Sequence, residues 1–378
     1  MSATVIRQGR VIDPANGLDR VADLLMIDGA IAAVGPGVDA PAGAKVIDAK
    51  GRLVVPGLVD LRCRIAGQRD LDDAVRGGFT TLVATWDSNP PSGPIRVLRA
   101  SPLTMGGQGE ELGDVPDGAV CLSDGFTPVS RAGLMRRALQ YARPLKAVLM
   151  VHAEDRSLSG RGVLGEGFEA TRLGLLPVPT SAETAAVARD LALLEETGGR
   201  LHFAHLTCAT SVRQVRDAQA RGLEVTADVA AHHLCLCDED ARGYSPRARV
   251  WPPLRSSGER AALREAVASG VIAAVASDHT RPDPTEDLLQ RELPFDEQVP
   301  GSAALPRVLS TVLGLGLPLP LAIALLTSGP ARVLGLAAGT LGVGARADVL
   351  IIDEKAPGAV ALFCRGLEVL SPLKERLE

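Results

Sequence analysis

A rhythm in the middle of the chain restricts the folds open to it more than any other feature. Short apolar runs recur there: GLVDLRCR (57–64), TTLVAT (80–85), GAVCLSDG (118–125), KAVLMVHAED (146–155), RLHFAHLT (200–207), LEVTADVA (223–230) and VIAAVASDH (271–279). Most are followed by helix-like stretches such as ETAAVARDLALLEETG (183–198) and GERAALREAVASG (258–270). Runs of this length read as strands buried on both faces, and strands separated by helical segments pair in parallel through crossovers. The expectation is an α/β fold, closed most economically as a (β/α)8 barrel of the TIM type, with a doubly wound open sheet as the alternative.

The two ends read differently. The first 55 residues carry β-type runs, VIRQGRVID, ADLLMIDGAIAAVG and AKVIDAKGRLVV, parted by Gly, Pro, Asn and Asp turns, and the last stretch repeats the style in GTLGVGARADVLIID and AVALFCRG. Residues 1–55 and 338–378 are therefore expected to pair into one small β-sandwich domain beside a barrel over 56–337. A chain of 378 residues, 46% hydrophobic and 22% charged, has ample material for one large core.

Charge and cysteine usage exclude several classes. A net charge of -5 with no Lys/Arg block gives no footprint for nucleic acid. No apolar stretch is long enough for a membrane span and the N-terminus lacks a secretory pattern, so the expected location is the cytoplasm. The cysteines at 63, 121, 208, 235, 237 and 364 have no CxxC pairing and read as reduced thiols. Cys235 and Cys237 beside His232 and His233 suggest a zinc site, but HHLCLC alternates like a strand, and the strand reading is preferred.

Polar residues that could carry chemistry gather at one place in this scheme. Arg62, Arg64, Asp87, Asp124, His152, His205, Asp278 and His279 all fall at the C-terminal ends of expected strands, which converge on one mouth in a parallel barrel. Singly, a histidine at a strand end is as readily a hydrogen-bonded structural residue, and Ser123-Asp124-Gly125 as readily a turn. As a set, Asp124, His152 and His205 have the donor types of a divalent metal half-site, with Asp278 placed as a ligand or as the base for metal-bound water. His279 would point away from the mouth.

These motifs resemble, nearly end to end, the type I dihydroorotases of the amidohydrolase superfamily. VPGLVDL resembles the lead into that family's HxH, and CLSDG its SDDG. VHAED, FAHLT, VTADVAAHHLCL, WPPLR, SDH, GPARVLGL and GVGARADVLIID follow in family order. The resemblance implies a binuclear zinc hydrolase of a cyclic amide, with Asp124 as bridging carboxylate, His152 and His205 as ligands and Asp278 as the catalytic carboxylate. The departures are severe. HxH is Arg62-Cys63-Arg64, the substrate-clamping Arg is Ala66, and the Asn of PNTxP is Asp87. Trp251 stands before PPLR in place of Asn, and Pro282 replaces the second His of DHAPH.

Guanidinium is permanently protonated and donates no lone pair, so Arg62 and Arg64 cannot ligate a metal. Alternation in a strand would turn both into the mouth, where each guanidinium is expected to pair with Asp124 or Asp278 and replace the lost zinc charge. The alternative is that both swing out to solvent. The expected cofactor content is none, with one zinc on Asp124, His152 and His205 as the alternative. The resemblance further implies a non-catalytic pseudo-dihydroorotase that forms an oligomeric assembly with aspartate transcarbamoylase. An active cyclic amidohydrolase working with a reduced metal site, and a metabolite sensor using the old mouth, are the competing readings.

Overall fold

The computed structural model describes residues 2–115, 119–281, 292–353 and 358–371. Among the described residues the N-terminal strands are β1 (Ala3–Asp13), β2 (Leu18–Ile27), β3 (Ala30–Gly35), β4 (Lys45–Asp48) and β5 (Arg52–Pro56). The barrel contributes β6 (Leu58–Cys63), β7 (Phe79–Ala84), β8 (Arg96–Arg99), β9 (Ser101–Pro102), β10 (Leu122–Ser123) and β11 (Val148–His152). A short pair, β12 (Leu164–Gly165) and β13 (Pro177–Val178), lies outside it. The barrel continues with β14 (Arg200–Ala204), β15 (Val225–Ala230) and β16 (Ala274–Ala276), and β17 (Val349–Asp353), β18 (Ala359–Cys364) and β19 (Leu367–Leu370) follow.

Both ends of the chain enter one mixed sheet of order β19-β18-β17-β5-β1-β2-β3, with β4 also paired to β1. β1 holds it together, because its first half runs parallel to β4 and its second half parallel to β5 on the same edge. Ile6, Val11, Leu24, Met26, Val54, Val349, Ile351 and Phe363 form this domain's own buried core.

The barrel closes in parallel. β9-β10-β11-β14-β15-β16 form one run and β6-β7-β8 another. Ala100 N–H donates to Ala84 O at 2.9 Å on one side, and Arg64 N–H donates to His279 O at 2.7 Å on the other. Strand alternation sorts the side chains. Leu149, Val151, Leu201, Phe203, Ala227 and Val229 pack outward under the helices, while Leu61, Val83, Met150, Ala204, Ala274 and Ala276 fill the interior. His152 and Asp278 continue the inward set, which is how they reach the mouth.

Crossover helices span Ala132–Ala142, Ser181–Thr197, Ala209–Ala220 and Ser257–Ala268. The last is capped by Ser256, whose hydroxyl accepts from Glu259 N–H at 3.4 Å. One expectation fails locally. HHLCLC is not a strand, since Ala231–Leu234 is a 3-10 turn following β15, with His232 and His233 buried and Cys235 exposed. Alternation of four apolar positions does not distinguish a short strand from a tight helical turn. Among the described residues no helix is long and apolar enough to cross a membrane.

Closure next to β16 depends on a glycine. A Cβ on Gly329, in the helix Ser328–Leu334, would lie 2.2 Å from Ala273 O and 2.8 Å from Ala324 O, both backbone atoms that cannot give way. Gly329→Ala is therefore expected to destabilise the protein by about 1–3 kcal/mol, read as an earlier midpoint in urea. A midpoint equal to wild type would contradict this packing.

Candidate active site

Arg62, Asp124, His152, His205 and Asp278 stand at the C-terminal ends of β6, β10, β11, β14 and β16, and all are buried. His205 and Asp278 adopt left-handed backbone conformations, with φ of 57° and 48°. Such conformations are costly for non-glycine residues and are found where surrounding contacts fix a side chain in place.

What fixes them is a chain of four buried groups. His202 Nε2 lies 2.9 Å from Asp228 Oδ2, Asp228 Oδ1 lies 2.8 Å from His205 Nδ1, and His205 Nε2 lies 3.3 Å from Asp278 Oδ1. Asp228 Oδ1 also accepts from His205 N–H at 2.7 Å. Burial raises the Asp228 carboxyl, but the imidazoles of His205 and His202 outweigh it and hold the group ionised. Burial likewise opposes charge on His205, yet Asp228 and Asp278 carry its ring up to about 9. Asp278, raised by burial and lowered by His205, His232 and Arg62, settles at about 2.

Asp124 behaves differently. Both of its oxygens accept from His152 N–H at 3.0 Å, and burial pushes its carboxyl up to about 8 despite the opposing field of Arg62. The His152 ring faces Glu154, with Nε2 3.4 Å from Oε2, and tilts against Trp251 with ring centroids 6.3 Å apart. Asp124 thus meets the backbone of His152, not its imidazole.

The expected pairing of Arg62 and Arg64 with Asp124 and Asp278 is not found. Arg62 turns inward, donates from one Nη to Gly125 O at 2.8 Å and lies over the Phe126 ring at 5.0 Å. Its Nε and other Nη have no hydrogen-bond partner among the described residues. Arg64 turns outward and its Nε lies 3.3 Å from Asp87 Oδ2, with half of the side chain exposed. The physical reason is a register shift. Between Asp60 and Cys63 β6 spends one residue more than β7 does between Leu82 and Ala84, which interrupts the alternation that would place both arginines on one face. Arg62 still acts on Asp124 and Asp278 through its field, but without contact.

Ala66 is exposed, and its N–H donates to Asp70 Oδ2 at 2.8 Å. The charge of Asp87 is engaged by Arg64. Pro282 lies outside the described residues. His279 is structural, with Nε2 3.1 Å from Asp70 Oδ1 and Nδ1 accepting from Leu305 N–H at 3.4 Å. Among the described residues no group of three or more His, Cys, Asp or Glu is arranged to hold a metal ion. A guanidinium occupies the end of β6, whereas Glu154 Oε2, 3.4 Å from the His152 ring, and His205 Nε2, 3.3 Å from Asp278 Oδ1, have no hydrogen-bond partner among the described residues. The residues present do not fit zinc in this arrangement.

The residues that sequence reasoning passed over are Asp228 and Glu154. A signal existed for Asp228, because an aspartate inside the apolar strand VTADVA must find buried partners. His232, read from the sequence only as part of a possible zinc site with Cys235 and Cys237, has ring nitrogens without a hydrogen-bond partner among the described residues, and burial lowers it to about 4.

Two outcomes follow. Because the folded pKa of His205 lies above its ordinary value of about 6.5, its contribution to stability is complete below that value and is lost as pH rises through about 9. Histidine nitrogen NMR on the metal-free protein should find His205 as an imidazolium at pH 7, and a neutral ring there would contradict the buried chain. Asp228→Ala, which leaves His202 and His205 buried without their carboxylate, should cost about 3–5 kcal/mol in denaturant unfolding. A loss under about 1 kcal/mol, the range of an exposed pair, would mean that the chain carries little.

Residues 51–211 match the family described as Dihydro-orotase-like. The chain is 42% identical over 381 residues to a dihydroorotase of Pelotomaculum thermopropionicum, covering 92% of this chain and 88% of that one. It is 41% identical over 390 residues to a dihydroorotase of Anaeromyxobacter dehalogenans, covering 94% and 89%. Among solved structures it is similar to a D-hydantoinase at a TM-score of 0.82 and 21% identity, covering 98% of this chain and 95% of that one. An L-hydantoinase from Arthrobacter aurescens gives a TM-score of 0.82 at 22% identity, covering 98% and 96%. These structural likenesses carry the fold, a TIM barrel with a β-rich domain, and the sequence identities carry the family: the chain belongs to the dihydroorotases.

Proposed function

We propose that this member of the dihydroorotase family is a pseudoenzyme of pyrimidine biosynthesis that binds no zinc and does not hydrolyse dihydroorotate. The observation that carries the reading is the buried guanidinium of Arg62 at the end of β6, where the resemblance places the first histidine ligand. A cation there opposes a divalent metal by charge and offers it no lone pair. Arg64, at the second ligand position, is bound outward to Asp87. The substrate carboxylate loses its clamp as well, because Ala66 supplies no charge and Trp251 fills space beside His152.

A fold retained without its chemistry suits a structural role. We extend the reading to a non-catalytic scaffold that holds aspartate transcarbamoylase in an oligomeric assembly, an extension that rests on the family resemblance. The second reading is a hydrolase working with a reduced site. What favours it is Asp278, kept ionised beside His205 in a buried mouth, and the name dihydroorotase borne by relatives about 40% identical.

Metal analysis and dihydroorotate assay on one chelator-free sample separate the readings. The expected result is substoichiometric zinc and no turnover above the buffer rate. One zinc per chain together with activity that Asp278→Asn removes would overturn it. The replacement Arg62→His should raise zinc content, since it removes the buried cation and returns one imidazole to the mouth. Co-expression with aspartate transcarbamoylase should yield one co-eluting complex, and separate elution at every ionic strength would contradict the scaffold.

A further inference from the structure

The face of the barrel opposite the mouth carries a cavity of about 410 Å³, lined by Arg143, Lys146, Ala147, Gly199, Arg200 and Glu224. It lies where the N-terminal ends of three neighbouring strands, β11, β14 and β15, meet. Its volume falls in the range of small-molecule sites. Three cations face one carboxylate here, in a chain whose net charge is negative.

The cations are not consumed by the protein's own acids. Among the described residues Arg143, Lys146 and Arg200 form no ion pair, although two glutamates end the nearby helix Ser181–Thr197. Glu195 pairs with Arg221 at 3.5 Å and Glu196 with Arg136 at 2.6 Å, both away from the cavity. Arg143 spends one Nη on Thr197 O at 3.0 Å and Arg200 one Nη on Val333 O at 2.9 Å, which steadies each guanidinium and leaves further donors. Those bonds answer the negative end of a helix, but Lys146 has no such duty.

The backbone around the cavity is fixed. Lys146 N–H donates to Arg143 O at 3.0 Å, and Leu201 N–H donates to Glu224 O at 3.0 Å. Gly198 and Gly199 both have positive φ, and a Cβ on Gly198 would come within 3.5 Å of Arg143 Nε. The positive φ at both positions favours glycine there.

From this arrangement we infer that the cavity binds a sugar phosphate, with the phosphoryl group held by Arg143, Lys146 and Arg200 and a sugar hydroxyl donating to Glu224. Arginine forks and a lysine charge match phosphoryl oxygens, and an acceptor on the rim selects a ligand that carries hydroxyl donors beside its anion. A bare anion would meet Glu224 as a repulsion. The site is separate from the mouth and does not depend on whether the mouth is active.

Ribose 5-phosphate titrated into the full-length protein at low salt, followed by calorimetry, tests the assignment, with inorganic phosphate and ribose as parallel probes. The expected result is one site for ribose 5-phosphate, weaker binding of phosphate, and none of ribose. Lys146→Glu, at an exposed position, should weaken binding by at least about tenfold with an unchanged ligand-free melting temperature. Glu224→Gln should weaken ribose 5-phosphate and, by removing the repulsion, strengthen phosphate. For the wild type, affinity should fall as sodium chloride is added. No binding up to about 10 mM, equal affinity for phosphate and ribose 5-phosphate, or a Lys146→Glu variant that binds like wild type would each overturn the inference.

Discussion

A guanidinium is buried at the mouth end of β6, and its field favours the ionised forms of Asp124 and Asp278. Among the described residues the Arg62 side chain has one hydrogen bond, to Gly125 O, and the face of Phe126. Its compensation comes from the field of nearby carboxyl groups. Asp278 is held ionised within the His202–Asp228–His205–Asp278 chain. Asp124, pinned to the His152 backbone and more deeply affected by burial, is held largely protonated at neutral pH. The Arg62 guanidinium and the His205 imidazolium stand against the Asp228 and Asp278 carboxylates, with Asp124 protonated, so the buried charges balance.

Much of the fold is legible in the sequence because the two periodicities differ. Strands such as KAVLMVH and RLHFAHL are apolar on both faces, and helices such as 183–198 interleave with them. That combination is hard to satisfy except by a parallel sheet covered with helices. The composite terminal sheet is also readable, since β-type runs such as VIRQGRVID and ADVLIID, parted by Gly, Pro, Asn and Asp turns, recur at both ends. What escapes is local. HHLCLC reads as a strand by alternation, but the chain turns at Ala231.

The mouth is legible as a set of residues and much less as a geometry. Strand ends identify Arg62, Asp124, His152, His205 and Asp278, and the structure brings all of them to one end of the barrel. Their pairings are not encoded at that level. The extra residue between Asp60 and Cys63 sends Arg64 to Asp87, which strict alternation does not foresee. Asp228, the group that orients His205, is hidden in an apolar run. Family membership also does not settle chemistry. Overall identity of about 40% reports a shared core and shared strand ends, whereas hydrolysis depends on the few side chains able to donate a lone pair to a metal.

The central claim, that the mouth has exchanged metal charge for a buried guanidinium, is tested most directly by anomalous diffraction at the zinc edge from crystals grown with excess zinc. The account predicts no anomalous peak between Asp124, His152 and His205, and density for Arg62 that continues to Gly125 and Phe126. A peak bonded to His205 Nε2, with Arg62 displaced from the mouth, would contradict it.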